Sequence, residues 1–273
     1  MAQDNHDHGL AHDLAVMRRR RVIGGLAVLG AGAGVALFAR GAFGDEAEVT
    51  GTGPDGMCVQ STAETQGPFP SDGSNAVGGT TSNVPAEAGV QRSDIRPSFG
   101  AMTPVADGIA MTMTVQVVNV GGSCAPLAGR AVYVWHCDAA GKYSIYETPD
   151  SNYLRGVGVT DAAGRVTFTS ILPGCYAGRW PHVHLEVFAD VASATAGSAG
   201  GVISQLAFPG EPLAGLYAGD ARYAASVGNL AALTLAWDGI FADNTPAQLT
   251  AQTFVLTGDG AGLVAAAVVG VAG

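Results

Sequence analysis

The segment Pro181-His182-Val183-His184-Leu185 sets two imidazoles two residues apart, and on a strand that spacing turns both to the same face. Such a pair either ligates a metal or consists of two hydrogen-bonded histidines. Just upstream, Pro173-Gly174-Cys175-Tyr176-Ala177-Gly178-Arg179-Trp180 makes a tight turn that brings Tyr176 and Arg179 to the mouth of that strand. Farther back, Trp135-His136-Cys137-Asp138 ends another strand, and Gly141-Lys142-Tyr143-Ser144 follows it. A phenol has an ordinary pKa of about 10, so tyrosine ligates only where a strong Lewis acid removes its proton. Anionic phenolates combined with imidazoles suit ferric iron better than zinc, copper(I) or calcium. The four cysteines show no CxxC spacing, which speaks against a structural zinc site. His136, next to a strand's end, is expected to be a buried hydrogen-bonded histidine and not a ligand. Trp135, Trp180 and Phe188 read as packing residues, with Trp180 close enough to wall the site.

The elements that must position these residues are short. Strand signals cover residues 109–120, 130–137, 164–172, 181–188, 202–208 and 253–257, many with apolar residues in alternation. Gly, Pro and Asp punctuate the gaps, and the one plausible helical stretch lies between Tyr217 and Ala236. Residues 45–108 lack any sustained period and read as an irregular arm wrapped over the domain, and residues 191–201 read as a small-residue loop. The pattern implies an all-β fold, a β-sandwich with long loops over residues 109–273, forming one globular unit with the arm.

Composition narrows the function classes. The 273 residues carry a formal net charge of -10, 13% charged residues and 40 glycines. That balance disfavours phosphate-backbone binding and long helices, and the 48% hydrophobic content disfavours intrinsic disorder. His6, His8 and His12 lie in a polar stretch before Arg18-Arg19-Arg20-Arg21, which is followed by a Gly/Ala-rich apolar run reaching Ala39. A basic block, an apolar region and then small residues form an export signal over residues 1–44, and the consecutive arginines favour the twin-arginine route. Five glycines in the apolar run make it a poor membrane span, so no stable insertion beyond the leader is expected.

With these residues in view, the chain resembles the intradiol ring-cleaving dioxygenases, the superfamily of protocatechuate and catechol dioxygenases, and especially its exported single-chain members. The resemblance runs from Thr62-Ala63-Glu64-Thr65-Gln66-Gly67-Pro68-Phe69 through Arg92-Ser93-Asp94-Ile95-Arg96 to Ser204-Gln205-Leu206-Ala207-Phe208, with WHCDAAGKYS and PGCYAGRWPHVH as its central motifs. It implies an Ig-like β-sandwich holding a mononuclear non-haem Fe(III), with Tyr143, Tyr176, His182 and His184 as ligands. Arg179 corresponds to the family's active-site arginine, Gln205 to the glutamine behind it, and Tyr176 to the ligand that gives way when substrate chelates. Tyr176 precedes His182 by only six residues, which departs from the longer insertion of the best-known enzyme. The implied partners are a small aromatic diol and O2, with no nucleic acid; a homodimer is compatible with the sequence. Export allows disulfides. A Cys137–Cys175 bridge would fix both tyrosine-bearing loops, leaving Cys58 to pair with Cys124. A secreted non-catalytic binding module and a copper or zinc enzyme built on the HxH pair are the alternative classes.

Overall fold

The computed structural model describes residues 58–77, 80–196 and 201–272, so the expected leader over residues 1–44 and the start of the arm lie outside the described residues. In chain order the strands are β1 (Asp72–Val77), β2 (Thr80–Asn83), β3 (Ala110–Asn119), β4 (Ala125–Pro126), β5 (Ala131–Trp135), β6 (Arg155–Val159), β7 (Arg165–Ile171), β8 (His182–Phe188), β9 (Val202–Ala207), β10 (Val255–Asp259) and β11 (Gly262–Val271). They form a β1-β2 hairpin, a four-stranded sheet in the order β6-β5-β8-β9, and a five-stranded sheet in the order β10-β11-β3-β4 with β7 also paired to β3. The four-stranded sheet is antiparallel throughout, whereas β11 runs parallel to β3.

Alternation builds the main core. Met111, Met113, Val115 and Val117 of β3 and Val166 and Phe168 of β7 meet Val132, Val134, Val183, Leu185 and Val187 from the other sheet in one buried cluster. The intervening residues of the two central strands, β5 and β8, do not face water. Ala131, Tyr133 and Trp135 of β5 join Val84, Val90, Cys137, Tyr143 and Val157 in a second buried cluster. Part of the cover on that face comes from the arm, which is tied on by isolated bridges at Gln60–Gly270, Gln91–Val157 and Asp94–Thr169 and by the Cys58–Cys124 disulfide, with Cα atoms 5.5 Å apart.

Five of the strand signals coincide with β3, β5, β7, β8 and β9. The sixth, residues 253–257, is divided: Thr253 makes an isolated parallel bridge to Ala207 while its hydroxyl stays bonded to the Leu249 carbonyl of the helix Pro246–Ala251, and the continuous strand β10 starts at Val255. The arm is less irregular than its composition implies, since Asp72–Val77 pairs antiparallel with Thr80–Asn83 as β1 and β2. The supposed loop over residues 191–201 starts as the helix Val191–Thr195, whose first turn is capped by the Asp190 carboxylate accepting from Ser193 N at 2.7 Å. The helix Ala224–Ala231 falls in the expected stretch, and Gly210–Ala218 precedes it. β6, with the sequence RGVGV, gives almost no strand signal because its glycines are there for clearance: a Cβ at Gly158 would stand 2.4 Å from Val166 Cγ2. No helix among the described residues is long and apolar enough to cross a membrane.

Candidate metal centre

β8 lies between β5 and β9 and is buried along its whole length. His184 stands opposite Trp135 on β5 and Gln205 on β9, and His182 opposite Ala207. The Trp135 indole stacks on the His184 ring at 4.9 Å with an interplanar angle of 6°. Tyr143 arrives from the loop after β5, whose turn is built by Asp138: its carboxylate accepts from Ala140 N and Lys142 N, both at 2.9 Å. Gly174 N donates to the Asp138 carbonyl at 2.9 Å and so fastens the loop bearing Tyr176 to the loop bearing Tyr143.

Four donor atoms converge as a result. The two histidine Nε2 atoms are 3.0 Å apart, Tyr143 Oη is 3.1 Å from His184 Nε2 and 3.4 Å from His182 Nε2, and Tyr176 Oη is 3.4 Å from His182 Nε2. His182 Nδ1 lies against the Trp180 carbonyl, an acceptor only, so the ring proton sits on Nδ1 and Nε2 offers a lone pair to the cluster. His184 Nδ1 is buried with no hydrogen-bond partner among the described residues, beneath Gly67 of the arm, where a Cβ would stand 3.1 Å from His184 Cε1. Burial pushes the Tyr143 phenol well above its ordinary pKa, and the neighbouring Tyr176 adds to the rise. Burial likewise pushes both histidines down, reinforced by the Arg179 charge at each and by His182 at His184. Two neutral imidazoles, the reluctant Tyr143 phenol and the Tyr176 hydroxyl thus meet, an arrangement that a cation at their centre would resolve. Among the described residues no three His, Cys, Asp or Glu side chains gather into a metal-holding group, so a metal in this cluster needs the tyrosines.

Arg179 reaches the centre's flank as a fully buried cation. Its Nε donates to Asp238 Oδ2 at 3.0 Å and its Nη2 to Gln205 Oε1 at 2.5 Å, while Gln205 Nε2 donates to the Thr65 carbonyl of the arm at 2.9 Å. The sequence leaves open an exposed arginine paired with an acid; the acid exists, but both partners are at most 1% exposed. Asp238, which also accepts from Trp180 N at 2.6 Å, carries no signal in the sequence because it stands 59 residues from its partner in an irregular turn. Burial alone would raise its carboxyl, yet the Arg179 charge, His182 and backbone N–H bonds outweigh that and hold it below its ordinary value. Trp180 donates Nε1–H to the Phe208 carbonyl at 2.8 Å and packs against Gly210.

His136 lies apart from this cluster, buried and bonded through Nδ1 to the Cys137 carbonyl at 2.8 Å and through Nε2 to Ser170 Oγ at 2.7 Å, as expected. The expected Cys137–Cys175 bridge is absent, whereas Cys58–Cys124 is formed. The reason is directional: Cys137 points into the aromatic cluster and donates to the Gly174 carbonyl, whereas Cys175 points into the main core and donates to the Arg179 carbonyl, each at 3.5 Å.

Residues 88–234, more than half of the chain, match the family model described as Dioxygenase. The protocatechuate 3,4-dioxygenase beta chain of Burkholderia cepacia is 34% identical over 120 residues, covering 39% of this chain and 47% of the relative. Catechol 1,2-dioxygenase 2 of Acinetobacter lwoffii is 33% identical over 101 residues, covering 33% of this chain and 36% of the relative. The matched stretches therefore span about half or less of these curated relatives. Among solved structures, an intradiol ring-cleavage dioxygenase from Tetranychus urticae superposes with a TM-score of 0.58 at 22% identity, covering 79% of this chain and 95% of that one, a likeness of fold.

Proposed function

This chain belongs to the intradiol ring-cleaving dioxygenase family, and from that we propose that it opens a catechol-type diol between its two hydroxyl-bearing carbons, adding both atoms of O2 to give a cis,cis-muconate-type diacid. The observation that carries the reading is the convergence of Tyr143 Oη, Tyr176 Oη, His182 Nε2 and His184 Nε2, with neighbouring donors 3.0–3.4 Å apart. These four residues would hold a ferric ion, which would supply the Lewis acidity that ionises the phenols and the diol and so activates the diol toward dioxygen. Tyr143, His182 and His184 are buried, whereas Tyr176 is half-buried, which favours Tyr176 as the residue that gives way to substrate. Tyr176 Oη would then take up one of the diol's two hydroxyl protons, and the other would pass to solvent water. Arg179 faces the site as a preorganised cation, held by Asp238 and Gln205, and stabilises negative charge developing on the substrate. The arm closes one side through Gly67, which lies over His184. The two sheets and their shared core support an Ig-like sandwich as the finer description of the fold. The arginine block before the apolar run, together with the Cys58–Cys124 disulfide, supports export to an oxidising compartment.

The test is oxygen uptake by the iron-loaded protein across a panel of catechols in isotopically labelled O2. The expected product is an open-chain diacid carrying two labelled atoms. Absence of uptake with every catechol, or a ring-opened semialdehyde in place of the diacid, overturns the reading.

A further inference from the structure

Arg155 opens β6 opposite Trp135, the residue that stacks on His184, and its guanidinium is only 1% exposed. It donates through Nε to Ser144 Oγ at 3.0 Å and through Nη2 to the Ser144 carbonyl at 3.2 Å. Its Nη1 donates to the carbonyls of Phe69 and Pro70 at 2.9 and 3.1 Å and to Tyr133 Oη at 3.3 Å. Every acceptor is neutral, and among the described residues no carboxylate lies in ion-pair range. A buried cation without a counter-ion is costly unless its donors are met, so these five bonds give the guanidinium one geometry and hold its partners to it. The partners surround Tyr143. Ser144 follows it in the chain, the Phe69 ring packs on the Tyr143 ring at 5.0 Å, and Tyr133 donates to the Pro70 carbonyl and stacks on Trp135.

We propose that Arg155 is a positioning residue for Tyr143: its buried fork clamps the loop carrying that phenol to the arm segment Phe69–Pro70 that covers it. The proposal rests on reading Tyr143 as a metal ligand. It assigns Arg155 no contact with substrate. Its effect is on how well one donor is aimed, a kind of support whose loss costs roughly 10- to 100-fold in metal affinity.

The test compares Arg155→Met, Arg155→Lys and the milder Ser144→Ala with the parent protein. In metal-free protein, hydrogen exchange should quicken in the peptides spanning residues 143–148 and 66–71 and stay unchanged in β3 and β11. On adding ferric iron, affinity should fall roughly 10- to 100-fold in Arg155→Met and the tyrosinate charge-transfer band should shift. Arg155→Lys should recover little, because an ammonium cannot reproduce a planar fork. Ser144→Ala should move the same readouts less, and it carries the test if Arg155→Met does not fold. Unchanged exchange in both peptides of the folded variants, or a band and an affinity within about twofold of the parent, overturns the proposal. A parent protein that binds no ferric iron instead overturns the proposed function, while the metal-free exchange result still decides the clamp.

Discussion

The two faces of the β6-β5-β8-β9 sheet are made by the same strands and do opposite things. Val183, Leu185 and Val187 of β8 point inward with Val132 and Val134 of β5 and meet only apolar neighbours from the other sheet. One residue out of phase, His182, His184 and Glu186 point the other way, beside Tyr133 and Trp135, and are buried just as deeply. Along β5 and β8 the inner face is satisfied by volume, with His136 just past β5 bonded to Ser170 of β7. The outer face has polar atoms whose partners must be supplied, so it requires a cover with defined hydrogen bonds: Thr65 accepting from Gln205, Phe69 and Pro70 accepting from Arg155, and Gly67 lying on His184. A strand with its apolar residues on one side thus carries packing, and the chemistry goes where the cover can be shaped.

The comparison breaks most visibly at the outer face. His184→Ala should remove nearly all bound ferric iron while leaving the metal-free protein folded, as read by metal analysis beside circular dichroism. Next, Arg179→Ala should keep its iron and slow turnover by roughly 100- to 1,000-fold, with Arg179→Lys recovering little; oxygen uptake on iron-matched samples checks this. Leu185→Ala, one residue from His184 but on the inner face, should do the reverse: a loss of about 2–5 kcal/mol of stability in denaturant unfolding, with iron per folded molecule unchanged.

His136 sharpens the contrast because it turns inward, to Ser170 of β7, and is buried neutral. Burial pulls its pKa from 6.5 down to about 4, so the unfolded chain takes up the proton first as pH falls. Its contribution is complete above about 6.5 and is lost as pH falls toward about 4, on the order of 3 kcal/mol. In metal-free protein His182 and His184 act with the same sign. Unfolding free energy measured across that range should therefore decline toward acid, less steeply in His136→Gln. The smallest effect is expected from Gly67→Ala, which forces a side chain into a left-handed backbone with φ of 71° and against the His184 ring. It should cost roughly 1–2 kcal/mol and weaken iron binding modestly, as read by denaturant unfolding and iron titration.

Much of the site was legible because its signals are local. The HxH period fixes a shared face on a strand, and the two tyrosines sit in turns that Gly, Pro and Asp announce. The turn alone puts Arg179 beside the strand, the family resemblance adds its role and Gln205, and the structure brings the two within hydrogen-bond distance. Asp238 and Arg155 were not legible, since a buried carboxylate or guanidinium looks like any surface charge until its long-range partners are known. The same limit hid β6 and β11. The first is masked by glycines that make room for Val166 and Phe168, and the second is an apolar alanine-rich run with little alternation whose partner β3 lies far back in the chain. The cysteine pairing failed for a related reason, because proximity of two loops says nothing about where their thiols point.

The central claim, that two tyrosines and two histidines form one ferric site, is tested most directly by titrating the metal-free protein with ferric iron and recording its visible absorption. The account predicts a red-brown tyrosinate charge-transfer band that saturates at about one iron per chain and is lost from His182→Ala and His184→Ala. A colourless iron complex, or a band of full strength in both histidine variants, would contradict it.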